Sequence, residues 1–394
     1  MSDATRRAYG WCEHLRAGGT TGWTSYAGPT AGPPLHGWLP GAQQLELLRR
    51  LNLTGRPTAA LADAVLVADL PLRGPLDLEL VGVGARGVDP AALPDEELLR
   101  VAVGLLARRS VVGLRRAPST PPAPVRVATR LWRRRWATPY RLAGDPVLVG
   151  ALRPVLAAQG RAPRPDARRV VVVGAPLERM LLDAWWHRVL TRGALGWEQW
   201  LRGVVRRDRL PATVNLLAIA ERARARGEDV RVALDPGAVE RATGARGLAA
   251  VAVPDAAAAV PDPAVAVPDP AVAELTRRIG RVLAVHLEPA ERERTLRRRV
   301  APALARVARE AGLPAVPGPG SRLPGAAAEW VAERAVRLHH DLRGAGYPVG
   351  GEPEPVPSSG SHPAPGSPDH DGGALLRLAT SALHATDRNP GGGL

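Results

Sequence analysis

Apolar and polar positions along this chain fall into short blocks whose period alternates between strand-like and helical. The clearest block spans residues 168–201. Four consecutive valines, Val170 to Val173, form an apolar β-branched run, which predicts a buried strand. Gly174, Ala175 and Pro176 break the run, and Leu177, Leu181, Ala184 and Trp185 then recur at spacings of three and four, which predicts a helix. Residues 138–160 repeat the theme. A short strand near Tyr140–Leu142 meets Gly144-Asp145-Pro146, and a helix follows to about Gln159, with Pro146 suited to its first position and Asp145 to its cap. DVRVAL (229–234) reads as a third strand and LAAVAVP (248–254) as a possible fourth. Successive strand-turn-helix units without hairpin signals imply parallel pairing. The fold class is therefore α/β, a parallel sheet flanked by helices.

The flanking sequence reads mostly as helix. Residues 5–16 place Tyr9, Trp11, Cys12 and Leu15 on an apolar face, 41–52 turn Leu45, Leu48 and Leu51 inward, and 57–68 and 89–107 follow, the last with acidic residues at its start. Residues 76–84 alternate like a strand. Residues 1–107 are thus expected to form a mostly helical N-terminal module and 108–137 an Arg/Pro-rich linker. The α/β domain is expected over 138–349, with further helices at 213–226, 238–243, 273–287, 289–311 and 326–349. A tandem heptad, VPDPAVA at 260–266 and 267–273, is too rich in proline for a regular element. Residues 350–372 have the composition of a disordered linker, and 373–394 hold a terminal amphipathic helix and tail suited to docking a protein partner.

Composition changes this picture in one respect. The net charge is +15, and every basic residue is arginine. The absence of lysine and phenylalanine, with Ala, Gly, Pro and Arg abundant, is the profile of a very GC-rich genome, so much of the basicity reflects codon bias. It still produces a real surface field. Between Glu97 and Asp145 there are eleven arginines and no acidic residue, densest in RLWRRRW (130–136). Arginines interleaved with tryptophans can neutralise phosphates and stack on bases, so a nucleic-acid or anionic-surface binder is one reading. No apolar stretch reaches the length of a membrane span, and the N-terminus has no signal-peptide core, which makes the cytoplasm the expected location.

Candidate chemistry concentrates where strands meet helices, because α/β sheets bind ligands at the carboxyl ends of their strands. Gly144, Gly174 and Arg179 are the candidate binding residues there; no catalytic residue and no metal ligand is assigned. Glu178 is available but suits a helix-dipole role, and His187 lies too far along its helix to act as a base. Cys12 is the sole cysteine, which excludes an internal disulfide and a cysteine zinc site; an inert, partly buried thiol is expected. His339 and His340 are adjacent and do not form a facing pair. RAGGTTGW (16–23) has the look of a phosphate loop, but it follows a helix rather than a strand and has no lysine, so Thr20 or Thr21 is expected to cap a turn.

From about 138 to 350 the chain resembles the sulfotransferase-like P-loop proteins of GC-rich actinobacteria. The resemblance is carried by VVVVGAPLERMLLDAWWHRVL, by WEQWLRG, by the helix through Ile219 with DVRVAL, and by EWVAERAVRLHHDLRGAGYPV. It implies a P-loop fold and, in the family, a 3′-phosphoadenosine 5′-phosphosulfate cofactor held by a lysine-bearing loop and by an R-x-P segment with a downstream serine. This chain departs from both features. RLAGDPVLV (141–149) stands in the loop's place without lysine, serine or threonine. Pro176 is kept, but Gly174 replaces the arginine and Leu182 the serine. The expectation is a degenerate member that has lost its cofactor and serves as a scaffold or partner subunit. The alternative is an active sulfo- or other group transferase that holds a nucleotide donor through Arg179 or the 130–135 arginines.

Overall fold

A computed structural model describes residues 3–32, 39–68, 89–116, 138–193, 195–248, 269–312, 323, 325–351 and 372–388. The expected strands at 76–84 and 248–254, the 130–136 cluster, the tandem heptads and the 350–372 linker lie outside the described residues, save for a few positions at their ends. In chain order the elements are α1 (Asp3–Arg16), α2 (Ala42–Thr54), α3 (Ala59–Leu66), α4 (Asp95–Arg116), β1 (Tyr140–Gly144), α5 (Pro146–Ala158), β2 (Arg169–Val173), α6 (Leu177–Thr191) and α7 (Trp197–Arg206). There follow α8 (Leu216–Ala225), β3 (Asp229–Ala233), α9 (Pro236–Thr243), α10 (Pro270–Leu283), α11 (Pro289–Thr295), α12 (Ala301–Glu310), α13 (Gly325–Gly344), β4 (Val349–Gly350) and α14 (Gly372–Arg388). Among the described residues no helix is long and apolar enough to cross a membrane.

Contacts divide the chain into two compact units. One gathers residues 1–117, 274–314 and 366–394, and the other 118–273 and 315–365. These boundaries differ from those expected from sequence. Helix α4 runs on to Arg116 rather than ending at 107, and the helices of 274–310 group with the N-terminal helices rather than with the sheet. The reason is burial: Leu275, Ile279 and Leu283 of α10 and Leu304 of α12 are fully covered, and their neighbours in space are not their neighbours in sequence.

In the helical unit, α14 packs against α4, α2 and α12. Its Leu375, Leu376, Leu378, Ala379, Ala382 and Leu383 are all buried, because apolar residues recur at three and four and form one stripe. Polar contacts fix its end. Arg109 donates to the Leu383 carbonyl at 3.1 Å and to Thr386 Oγ1 at 2.7 Å. Asp387 accepts from the Thr58 amide at 2.8 Å and the Thr58 hydroxyl at 2.6 Å, while Thr58 caps α3 by accepting from the Leu61 amide. Glu274, almost fully buried, is held by Arg277 and Arg278, and Arg278 reaches on to Glu96 of α4. Between α11 and α12 a single π-helical turn, Leu296–Val300, keeps Leu296 and Val300 in the core.

The second unit is built on a four-stranded sheet, all parallel, in the order β1-β2-β3-β4. Successive side chains alternate faces. Tyr140, Leu142, Val171, Val173 and Ala233 pack with Leu152 and Leu156 of α5 and with Ala238 and Val239 of α9. Val170, Val172, Val230 and Val232 point the other way and are equally buried, on the face where α8 lies. A sheet covered on both faces explains why β2 reads as an unbroken apolar run rather than an alternating one. Helix α13 packs on α6, α7 and α8, and the two-residue β4 completes the sheet beside β3.

Candidate functional site

At the carboxyl end of the sheet, β1 closes on Gly144, whose φ of 112° lies where L side chains are rarely found. A Cβ there would stand 2.0 Å from the Val173 carbonyl oxygen, so the two strand ends touch backbone to backbone. The next amide, Asp145, donates to that same oxygen at 3.0 Å. Asp145 then turns the chain into α5. Its Oδ1 accepts from the amides of Val147 at 2.8 Å and Leu148 at 2.9 Å, with Pro146 at the first helical position. The cap read from sequence is thus present, but its carboxylate is wholly buried.

Gly174 follows β2 and donates to Ala233 at 2.9 Å. A Cβ on Gly174 would meet Leu216 Cδ1 at 2.4 Å and Leu234 Cδ2 at 3.1 Å, with Met180 Sδ at 3.5 Å. Leu216, Leu234 and Met180 are themselves buried. These three side chains leave no room for a side chain at Gly174. Leu182, at the expected serine position, is also buried.

Arg179 lies on the first turn of α6 and donates from Nε to Asp183 Oδ1 at 2.9 Å, one helical turn on. The structure therefore ties Arg179 to Asp183, which was not read from sequence. The available signal was an acidic residue inside the apolar run LLDAWW, four positions after an arginine. Asp183 is completely buried, and one oxygen of each aspartate, Asp145 Oδ2 and Asp183 Oδ2, has no hydrogen-bond partner. Burial pushes the Asp145 carboxyl up to about 6, against the pull of the Leu148 and Val147 amides and of Arg179. Burial, reinforced by the nearby Asp145, raises Asp183 well above the usual carboxylate range in spite of Arg179. Glu178, on the same turn, is raised by burial alone.

The remaining candidates lie elsewhere. Cys12 is buried and its thiol is pushed up to about 11 by burial and by Glu13, which makes it a poor nucleophile. Thr21 of the GGTT stretch accepts at its carbonyl from Trp11 Nε1 and lines an open cleft of about 550 Å³ in the helical unit, beside Glu13, His14 and Tyr26. Among the described residues no group of three or more His, Cys, Asp and Glu is placed to hold a metal ion. In comparisons with known proteins, the chain matches no family model, no curated sequence and no solved structure.

Proposed function

We propose that this protein is a non-catalytic relative of the sulfotransferase-like P-loop fold, a scaffold or partner subunit whose strand-end site is sealed. The observation that carries this reading is the internal occupation of the anion-binding groups. A helix N-terminus binds phosphate through its free amides and its dipole. At α5 the Val147 and Leu148 amides are taken by Asp145, whose buried carboxylate stands where an incoming phosphate would need to be. Before α6, Leu216, Leu234 and Met180 close in on Gly174 and leave no room for a side chain where the family carries its arginine. Arg179, one of the arginines that a transferase reading would recruit, is committed to Asp183. Freeing it would leave the buried pair Asp145 and Asp183 without its cation.

Isothermal calorimetry of the full chain with adenosine 3′,5′-bisphosphate tests this reading. The expected result is no saturable heat, together with no thermal shift in 3′-phosphoadenosine 5′-phosphosulfate. Saturable one-to-one binding of either nucleotide would overturn it in favour of a transferase that holds its donor through arginines.

A further inference from the structure

Asp145 and Asp183 form a pair whose hydrogen bonding is incomplete as two carboxylates. Each is fully buried and each uses one oxygen, Asp145 on two backbone amides and Asp183 on Arg179. The second oxygen of each has no donor. An ionised carboxylate can only accept, and a buried acceptor left bare is costly. The two side chains are hydrogen-bond neighbours of one another. One proton on either carboxyl therefore satisfies both bare oxygens at once.

The surroundings say which residue carries it. Asp145 has two amide donors and the N-terminus of α5, all of which favour its ionised form. Asp183 has only Arg179, whose side chain remains about one-third exposed (34%). The charged groups acting on Asp145 are Arg179 and Asp183, and those acting on Asp183 are Asp145 and Arg179.

We propose that Asp183 carries a proton that it donates to Asp145, and that this shared proton is a pH-sensitive latch fastening the first turns of α6 to the start of α5 across the strand end. With the proton in place the cluster is one carboxylate and one guanidinium. Without it, two buried negative charges face a single arginine, and the contact between α5 and α6 loosens. Both carboxyls are raised in the folded state, so the contribution is fully present below the ordinary carboxylate range and is lost as pH rises through the folded value. A native state that holds one more proton than the unfolded chain loses stability tenfold in its folding constant per pH unit until that proton leaves.

The test compares urea unfolding of the full chain and of Asp183→Asn between pH 5 and 9. Asparagine reproduces the protonated form, donating to Asp145 and accepting from Arg179. The expected result is a wild-type folding constant that falls with pH relative to the variant, by up to tenfold per unit across the titration, with the variant the more stable at the alkaline end. Parallel profiles would overturn the latch. If Asp183→Asn does not fold, Asp145→Asn supplies the same donor from the other side and gives the same reading. If neither variant folds, infrared spectra of the wild type decide: a buried carboxylic-acid carbonyl band at pH 6 that disappears on alkalinisation supports the latch, and its absence at pH 6 overturns it. Nucleotide binding in calorimetry would remove the sealed-site reading and leave this latch standing, while a flat pH profile would do the reverse.

Discussion

Replacing Gly144 by alanine is the sharpest single perturbation of the strand-end contact. Two separate terms add there. At φ 112° any L side chain is strained, at a cost of about 1–3 kcal/mol. The new methyl would also stand 2.0 Å from the Val173 oxygen, a backbone atom that cannot swing aside. Separating the strand ends breaks the 3.0 Å bond from the Asp145 amide to that oxygen, worth about 1 kcal/mol more. The expected loss is about 2–4 kcal/mol, a large part of the ~5–15 kcal/mol that holds a domain together. Amide hydrogen exchange reads it within one unit: the Val170–Val173 amides of β2 should open roughly 30-fold to several hundred-fold more often, at about 1.4 kcal/mol per tenfold. Gly104→Ala is the matched control. It sits inside α4, where an added methyl would meet no atom within 4 Å, and alanine there should stabilise by about 0.5–1 kcal/mol. A Gly144→Ala protein whose β2 amides exchange within about twofold of wild type, beside a control that gains as expected, would refute the steric account.

Three further outcomes follow from the packing. Leu383→Ala should cost about 2–5 kcal/mol, because Leu383 is completely buried where α14 meets the other helices, and faster exchange in α4 would report it; unchanged exchange there would contradict that packing. Glu274→Gln tests a group perturbed in the opposite direction to the aspartate pair. Burial pushes Glu274 up, but Arg277 and Arg278 more than offset this and hold it below the usual range. Its contribution is therefore present above about pH 4.3, the value in unfolded chains, and is lost as pH falls through the depressed value. The wild type should lose stability on acidification more steeply than Glu274→Gln, and parallel acid profiles would refute this. Finally, Asp387→Asn should weaken the tie between α14 and the start of α3, since Thr58 donates to that carboxylate twice; a loss of about 1–3 kcal/mol is expected in urea unfolding, and no loss would show the tie to be idle.

Much of the sheet was legible because its signals are local. Val170–Val173 announced β2 by a run that only a doubly covered strand can use, and Asp145-Pro146 announced the start of α5 by cap and first-position chemistry. β4 was not legible: two residues, Val349 and Gly350, carry no periodicity, and they become a strand only because β3 offers free backbone groups beside them. The partners of α10, α12 and α14 were equally hidden. An amphipathic stripe tells that a face must be buried and is silent about what buries it, so α10 and α12 were assigned to the sheet domain by sequence order and α14 was set apart as a terminal helix, whereas contacts group all three stretches with the N-terminal helices. At the strand end, spacing along the chain pointed to Gly144, Gly174 and Arg179 but not to Leu216, Leu234 and Asp183, which meet them from α8, the end of β3 and the second turn of α6. Spacing along the chain could not weigh a carboxylate's burial, and burial is what gives the aspartates their character.

The assembly of the helical unit from three separated stretches has a consequence for how the protein is made. The apolar face of α4 is finished when Arg116 has been added, but α14, which covers it, begins only at Gly372. At synthesis rates of about 5–20 residues per second, roughly 13–50 s pass between the two. For that interval the part of the α4 surface that α14 covers stays open on a growing chain, while α2 and α3 are already present to cover the rest. The sheet unit can meanwhile be made and folded up to β3. Helices α1 to α4 are thus synthesised long before the last helix that completes their packing, and the helical unit is closed only after the sheet unit has largely been made.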